Sequence, residues 1–487
     1  MRIRPLLSAL ALALAALVVT ATAASAAPTP GWGTPVTLQN TVAPHSLQLA
    51  TSGASTLAIW GGDDNRAYAS VSQDGGTTWS AANMVSDPAH TVSRLALSTL
   101  PAGGFVIAYG DDTNHAVSVR TTNNNGTAWS NFLTRTVPNG TIYDVAVTGI
   151  TGDRAAVALR QADSNGYYSV FAAVTDVANS ALGTFGQISA VGMNTWFPKI
   201  IFSGSVLSIA WLQNNMEDFG VSYSNNLGAT WSTPSVTLIQ ASKTAERFDY
   251  KLCGDQAVVT AGTSDTSGVL RQFARLADFS TSSWSSPPTQ NVGSVVSLST
   301  ACLADGSVAT AWTQQNSSTM YWLHAQQANG SWSASASSVA NLFPSISGPR
   351  VALASTLDGG VAGIATSTQN SGTVQGFTWS SSGGFSAAQT LSTAGATAGM
   401  TIPAGTPTTA GAAFVWAGFS SFSTRPPVSA ISFASPSGPS PAPDPALAAT
   451  GATAGLGAQL GWAALGLGVV GAAAIVFAVR RKKRDSE

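Results

Sequence analysis

Charged residues are scarce in this chain: they make up 9% of its 487 residues, and the formal net charge is −1. Nucleic acids and acidic partners are recognised by clustered basic charge, so this composition excludes both as charge-driven partners. Histidine is scarcer still, with four residues that lack metal-ligand spacing, so neither a transition-metal site nor a cofactor is predicted. The chain has instead 48 glycines and 14 tryptophans, which is typical of an all-β protein with many turns.

The first 26 residues have the three parts of a secretory signal peptide. Arg2 and Arg4 supply the charged start, and residues 6–19 form an apolar run too short for a stable membrane span. Ala24-Ser25-Ala26 is a small-residue cleavage site. The alternative, a structural helix, does not explain this order of parts. We therefore expect the mature protein to be exported.

The other end combines an apolar segment with a basic tail. Residues 457–479 carry no charge and match the ~20 residues that a membrane helix needs. The tail at 480–487 begins with five basic residues, which predicts a cytoplasmic C-terminus for a single-pass helix. Residues 436–450 before the helix are rich in proline and serine and are typical of an extended linker.

A pentapeptide at the end of this linker resembles a sorting signal. Leu447-Ala448-Ala449-Thr450-Gly451 is similar to the LAxTG signal of class E sortases in actinobacteria. The resemblance implies that a sortase cuts between Thr450 and Gly451 and joins the threonine to cell-wall peptidoglycan. Ala448 replaces the proline of the commoner LPxTG form, which leaves the sortase class open. A plain membrane anchor is the alternative, and both hypotheses place the body of the protein outside the cell.

Residues 72–79 (SQDGGTTW) carry the pattern around which the chain is organised. An aspartate at the third position accepts backbone hydrogen bonds in a tight turn, and the tryptophan is suited to packing between sheets. The segment fits S-x-D-x-G-x-T-W and resembles the Asp-box of sialidase-like β-propellers, where it is a structural turn. A second copy occupies 224–231, and weaker copies recur at about 50 residues. The pattern positions are Ser72, Asp74, Gly76, Thr78 and Trp79, and then Asn226, Gly228, Thr230 and Trp231.

Eight apolar strands recur with the same period, for example at 57–60, 106–109 and 209–211. Such strands fit sheets that are packed on both faces by other sheets. We therefore predict an all-β fold, a single β-propeller across residues 27–435 with eight four-stranded blades. Seven blades, or a split into two domains because the third and fifth repeats are poorly formed, are the alternatives. The last repeat lacks a fourth strand, which residues 32–38 would supply. That pairing would close the ring and leave no exposed edge.

The catalytic parts of the sialidase family are largely missing from this sequence. The resemblance implies an arginine triad, a Tyr–Glu nucleophile pair and an aspartic acid/base, but residues 42–47, where the first arginine belongs, contain none. Glu246 and Tyr250, with Asp249 between them, are the remaining catalytic candidates, and a polar loop before an inner strand is the alternative. We expect a surface propeller that binds an extracellular glycan or protein without catalysis. A divergent exo-sialidase or other glycoside hydrolase is the second hypothesis, and a purely structural wall protein is the third.

Ligands are expected on the face opposite the box turns, where loops on a rigid scaffold converge. Trp196 is a candidate for stacking on a sugar ring, with packing between blades as its alternative, and Arg94 and Arg350 are suited to an anionic group. The binding candidates are His45, Arg94, Asp144, Trp196, Lys199 and Arg350. Cys253 and Cys302 occupy matching places in successive repeats, which predicts a disulfide between neighbouring blades, with two buried thiols as the alternative.

Overall fold

The computed structural model describes residues 31–435 apart from 40–43, 124, 138–139, 177–180, 264–266, 282, 315–316, 318, 329–330, 340–348, 367–372, 394–398, 401–402 and 420–426. Its strands form eight antiparallel sheets that follow one another along the chain as an eight-bladed β-propeller. The predicted all-β ring of eight blades is confirmed, and the seven-bladed alternative is wrong.

The predicted signal peptide, linker, sorting signal and membrane segment all lie outside the described residues. Within the described part of the chain, no helix has the length and apolar character needed to cross a membrane.

The blades consist of consecutive strands, ordered from the innermost outward. Blade 1 contains Pro44–Ser52, Ser55–Gly62, Ala67–Ser72 and Asn83–Met84. Blade 2 contains Arg94–Thr99, Phe105–Asp111, Ala116–Thr122 and Leu133–Thr136. Blade 3 contains Ile142–Gly149, Ala155–Ala162, Tyr168–Asp176, and the short outer strands Ala181–Leu182 and Gly186–Gln187. Blade 4 contains Thr195–Phe202, Leu207–Gln213, Asp218–Ser224 and Ser235–Leu238.

The second half of the ring follows the same plan. Blade 5 contains Ala245–Cys253, Gln256–Thr263, Val269–Leu276 and Gln290–Asn291. Blade 6 contains Val295–Cys302, Val308–Gln314, Met320–Ala328 and Ser331–Val339. Blade 7 contains Arg350–Ser355, Val361–Thr366, Thr373–Ser380, Gly384–Phe385 and Gln389–Thr393. Blade 8 contains Gly399–Met400, Ala404–Thr408, Gly411–Phe419 and Val428–Ala434, together with Gly31–Trp32 and Val36–Gln39.

The second strand of each blade lies between two neighbouring sheets. The strands Ser55–Gly62, Phe105–Asp111 and Leu207–Gln213 are buried at every position. Their side chains alternate between the blade before and the blade after, because successive residues of a strand point to opposite faces. Ile59 thus packs into the core shared with blade 2, and Ala58 into the core shared with blade 8. Both faces are therefore apolar, as the sequence pattern indicates.

The ring closes through the N-terminal strands. Gly31 pairs with Ala434 and Trp32 with Phe433, and Val36–Gln39 continues along the same strand of blade 8. The Trp32 ring centroid lies 5.1 Å from that of Phe433, within aromatic contact distance. The predicted closure by an N-terminal strand is confirmed, and no described edge of Val428–Ala434 is left unpaired, since Gly411–Phe419 covers its other side.

The antiparallel order gives the ring two faces. The connections between blades and the hairpins between second and third strands lie on one face, which we call the upper face. The hairpins between first and second strands and the turns between third and fourth strands lie on the other, the turn face. Since Gly31 pairs with Ala434, the described chain begins and ends on the turn face.

The turn at 72–79 lies on the turn face and is held by Asp74. Its Oδ1 accepts the N–H groups of Thr77 and Thr78 at 3.1 and 2.8 Å, and its Oδ2 accepts the Thr78 hydroxyl at 2.6 Å. The Ser72 hydroxyl donates to Asp74 and accepts the Gly76 N–H, both at 2.8 Å. A side chain thus replaces the backbone partners that a tight turn lacks.

The turn at 224–231 repeats this arrangement with an amide. Asn226 Oδ1 accepts the Thr230 N–H and the Ser224 hydroxyl, each at 2.9 Å. Trp231 is half-buried against the core shared with blade 3, as Trp79 is against the core shared with blade 8. Both turns therefore connect strands and anchor a ring between blades.

A disulfide joins blade 5 to blade 6. Cys253 and Cys302, at the turn-face ends of the two innermost strands, are bonded with a Cα–Cα distance of 5.0 Å. The structure thus places the two cysteines at matching positions in neighbouring blades, where a covalent bond supplements side-chain packing.

Candidate functional site

One register position at the upper end of the innermost strands recurs in seven blades. In blade 1 this position is His45, which pairs with Gly61, the residue after Trp60. In blade 2 it is Arg94, which pairs with Gly110. We call these the ring positions because they surround the upper mouth of the central channel. From blade 1 to blade 7 they are His45, Arg94, Asp144, Trp196, Arg247, Ser297 and Arg350.

Five of the six sequence-predicted binding candidates occupy ring positions. The sixth, Lys199, lies in blade 4 beyond a β-bulge that follows Trp196. Arg247 is a ring residue that the sequence pattern does not predict, because a bulge between Ala245 and Arg247 shifts the register of that strand. The spacing does not reveal it either, since Arg247 lies 15 residues before its partner Gly262, whereas Arg94 lies 16 before Gly110.

Arg94 and Arg247 are held in the same way in different blades. Arg94 Nε donates to the carbonyl of Tyr143 in the next blade at 2.6 Å, and its Nη1 donates to the Ser93 carbonyl at 2.7 Å. Arg247 Nε donates to the Val296 carbonyl at 2.7 Å, and its Nη1 donates to its own neighbour's carbonyl, that of residue 246, at 2.9 Å. Each guanidinium is fixed across two innermost strands, and within the described part of the chain its remaining N–H groups have no acceptor.

Arg350 differs from these two arginines. No carboxylate or carbonyl partner of its side chain occurs among the described residues. Burial lowers its pKa, and the positive charge of Arg247 lowers it further. Two partly desolvated guanidinium groups near one another favour the approach of an anion.

Asp144 lies at the ring position between Arg94 and Trp196. Its Oδ2 is 2.6 Å from Arg160 Nε, and the two form an ion pair. Burial raises the pKa of Asp144, while the charges of Arg160, Arg94 and Lys199 act in the opposite direction. Three cations therefore surround this carboxylate, and Arg160 is the one that contacts it.

Two tyrosines extend this part of the mouth. The rings of Tyr143 and Tyr168 meet edge to face with centroids 4.7 Å apart. The Arg160 guanidinium lies over both, 5.2 Å from the Tyr143 centroid and 5.7 Å from that of Tyr168. Arg160 also donates to the Thr195 carbonyl at 3.1 Å, which ties the tyrosines to the first residue of the next blade.

Phe197 is an exposed ring at the upper end of the next blade. It lies in the bulge of blade 4, has φ of +51°, and leaves 36% of its surface exposed. A bulky residue in the left-handed region is strained by about 1 kcal/mol or more, and such strain clusters at ligand sites. Trp196, in contrast, is half-buried against the core between blades 4 and 5. Phe197 is therefore the ring placed to stack on a ligand. We call Phe197 and the upper-face tyrosines of blade 3, Tyr143, Tyr167 and Tyr168, the aromatic patch.

The catalytic candidates of blade 5 are kept apart. Glu246 is exposed at the upper face, whereas Tyr250 is buried and its hydroxyl is 2.7 Å from the Ser208 hydroxyl. Four residues along a strand span about 13 Å, too far for a Tyr–Glu nucleophile pair. Burial raises the pKa of Tyr250 far above its ordinary value, which disfavours the phenolate. Asp249 instead lies 3.4 Å from Lys251 in an ion pair.

The channel has a cavity at its opposite end. It measures about 410 Å³ and is lined by three residues from each of the eight innermost strands, near the turn face. Tyr250 lies in this wall, and Lys251 is the charged residue of the lining. Elsewhere, the described residues hold no group of three or more His, Cys, Asp or Glu side chains arranged for a metal ion.

The class of protein defined by this architecture is the β-propeller, and solved structures share it. The WD40 domain of SCAP from fission yeast aligns with a TM-score of 0.50 at 9% identity, covering 82% of this chain and 98% of that one. The BP39L lectin from Burkholderia pseudomallei aligns with a TM-score of 0.50 at 12% identity, covering 73% and 100%. The NanB sialidase from Streptococcus pneumoniae aligns with a TM-score of 0.37 at 9% identity, covering 83% and 94%.

The two alignments with a TM-score of 0.50 show the propeller fold and nothing finer. No protein-family model and no curated protein matches the chain. A function for the upper face must therefore be inferred from the residues of this chain.

Proposed function

We propose that this chain is a carbohydrate-binding propeller that acts outside the cell and binds its glycan at the upper mouth of the channel. The aromatic patch supplies a stacking surface, and the arginines and Lys199 supply cationic hydrogen-bond donors beside it. Aromatic rings flanked by a few polar groups on a rigid scaffold are typical of ligand sites.

The observation that carries the proposal is the exposed, left-handed Phe197. A large ring at this strained backbone conformation is costly to folding, and 36% of its surface still faces solvent, which favours a role in binding. The equivalent position of blade 1 holds Ser46, also with positive φ, at +53°. The bulges of blades 1 and 4 thus share the positive φ, but of these two blades only blade 4 has an aromatic side chain at that position.

The side chains of the upper mouth favour binding of a glycan without cleavage of its bonds. Glu246 and Tyr250 are separated along their strand, and Asp144 is occupied by Arg160. A retaining glycosidase needs two groups about 5 Å apart on either side of the scissile bond. Release of a monosaccharide would favour the alternative, a divergent sialidase or other glycoside hydrolase.

The proposal includes a place at the cell surface. The signal peptide, the sorting pentapeptide and the apolar segment with its basic tail predict export followed by anchoring, with a sortase and cell-wall peptidoglycan as partners. The described chain ends on the turn face. An anchor beyond residue 435 would accordingly leave the upper face open to the surroundings.

A glycan array tests the proposal through a matched pair of variants. Phe197→Gly removes the ring and suits the positive φ, which offsets part of the packing that is lost, and retention of the bound glycan should fall about tenfold. Ser46→Gly makes the same backbone change at the equivalent bulge and should leave retention unchanged. Equal binding by all three proteins would show that Phe197 takes no part, and an array without retained glycan would refute the proposal.

A further inference from the structure

The mouth holds its cations at two separate places. The Arg94 guanidinium is fixed over the first residues of blade 3 by the Tyr143 carbonyl, and that of Arg247 over blade 6 by the Val296 carbonyl. Blades 3 and 6 are three steps apart in a ring of eight. Because both guanidinium groups are braced on the backbone, neither is free to swing across the channel to the other.

Each place has a second cation. Lys199 is exposed beside Asp144 on the side of Arg94, and its charge acts on that carboxylate together with that of Arg94. On the other side, the N–H of Val351, directly after Arg350, donates to the Ser297 hydroxyl at 3.1 Å. Arg247 and Arg350 therefore flank the start of the same strand in blade 6.

Two carboxylates of the innermost strands are paired with cations other than Arg94, Arg247 and Arg350. Asp144 pairs with Arg160 at 2.6 Å and Asp249 with Lys251 at 3.4 Å. Glu246 is exposed next to Arg247 and offsets part of its charge. Within the described residues, no carboxylate lies within 4 Å of a guanidinium nitrogen of Arg94, Arg247 or Arg350.

We propose that the ligand is a polyanionic glycan, a saccharide chain with acidic groups on at least two of its units, that spans the mouth. One acidic group binds at Arg94 and Lys199 and another at Arg247 and Arg350, while a sugar ring between them stacks on Phe197. A single terminal acid cannot reach both places. This inference rests on the proposed function and names its ligand class.

Binding of matched oligosaccharides to the full-length chain, measured by titration calorimetry, tests the inference. The probes are a galacturonate hexamer, its carboxyl-reduced neutral form, galacturonic acid monomer, and a galactan hexamer bearing sulfate esters. The hexamer should bind at least tenfold tighter than the neutral form and the monomer, since each charge-assisted hydrogen bond strengthens binding. The sulfated hexamer distinguishes a sulfate ester from a carboxylate as the acidic group, and tight binding of either supports the inference.

Arginine variants test the two places. Arg94→Gln and Arg247→Gln should each lower the affinity for the galacturonate hexamer about tenfold. The double variant should lower it about a hundredfold, because the two places act independently. Arg135→Gln is the matched control, since Arg135 is exposed on the outer strand of blade 2 and donates to the Thr184 hydroxyl at 2.7 Å. Its binding should equal that of the unmodified chain.

The salt dependence of binding can be measured on the unmodified chain, so its result does not depend on whether the variants fold. Hexamer affinity should fall more steeply than monomer affinity as salt rises from about 0.05 M to about 0.5 M, because more charges are screened. Equal affinity for neutral and acidic hexamers would overturn the inference and leave the proposed function standing. A monomer that binds as tightly as the hexamer would also overturn it, and binding of no saccharide would overturn both.

Discussion

At the scale of single residues, Asp111 shows how one buried carboxylate holds two loops of the upper face. Its oxygens accept the Thr91 hydroxyl at 2.7 Å and the Asn114 amide at 2.6 Å, and His90 Nδ1 lies 2.5 Å away. Burial raises the pKa of Asp111, but the hydrogen bonds from Thr91, Asn114 and His90 outweigh it and lower the pKa to about 2. The loop before blade 2 is thereby attached to the hairpin that follows Phe105–Asp111.

This shift predicts a loss of stability in acid. The folded pKa of about 2 lies below the unfolded value of about 3.9, so the contribution is complete above about pH 5 and is lost as pH falls toward about 2. Asp111→Asn should lower the free energy of unfolding at pH 7 by about 1–3 kcal/mol and reduce its further loss between about pH 5 and pH 2.5. Urea unfolding at both pH values checks this. An identical acid-induced loss in both proteins would assign it to other carboxylates.

The sequence indicates the ring positions better than it indicates their partners. His45, Arg94 and Arg350 precede strands with a recognisable pattern, so their place on the upper face follows from topology. Arg160 and Tyr168 come from the second and third strands of blade 3, and their contact with Asp144 and Tyr143 depends on tertiary register. Glu246 and Tyr250 are close in sequence but about 13 Å apart along an extended strand, so their short spacing does not make them a pair.

At the scale of elements, the contact between blades 5 and 6 combines covalent and polar links. The Cys253–Cys302 disulfide lies at the turn-face end of this contact. Closer to the upper face, Lys251 donates to the Thr300 carbonyl, and near the upper mouth Arg247 donates to the Val296 carbonyl. These three links come from alternate residues of one strand, which all face blade 6. The interface is thus fastened along the whole length of the innermost strand.

Removal of the disulfide should weaken this interface. Cys253→Ala combined with Cys302→Ala should lower the free energy of unfolding by about 2–4 kcal/mol, because the unfolded chain gains the freedom of the loop that the bond closes. Denaturant unfolding with and without reductant measures the effect. Reductant should destabilise the unmodified protein and leave the double variant unchanged; equal stability of the two proteins without reductant would contradict the prediction.

Bulges are the element-scale feature that the sequence does not reveal. They interrupt the innermost strands of blades 1, 3, 4, 5 and 6 near the upper face. A bulge adds one residue without changing the apolar pattern of the neighbouring strand, so periodicity alone does not locate it. For this reason the sequence does not predict Arg247 as a mouth residue, while the structure places it there.

At the scale of the whole molecule, ring closure decides whether the sheet edges are covered. Deletion of residues 27–39 removes the partner of Val428–Ala434 and exposes a strand edge to other molecules. The truncated protein should unfold at lower denaturant concentration and form dimers or larger species, visible by light scattering. Trp32→Ala, which keeps the backbone pairing, should lower stability and leave the protein monomeric. A monomeric truncated protein of unchanged stability would show that closure is dispensable.

The course of the final strand has a mechanical consequence. Val428–Ala434 runs from the upper face to the turn face with hydrogen-bonded neighbours on both sides. For a propeller anchored through the residues after 435, a pull from a ligand held at the upper face is directed along this strand. The hydrogen bonds on both its edges then share the load in shear, instead of opening one after another as in peeling. The described ring would therefore resist detachment by flow or by a moving partner.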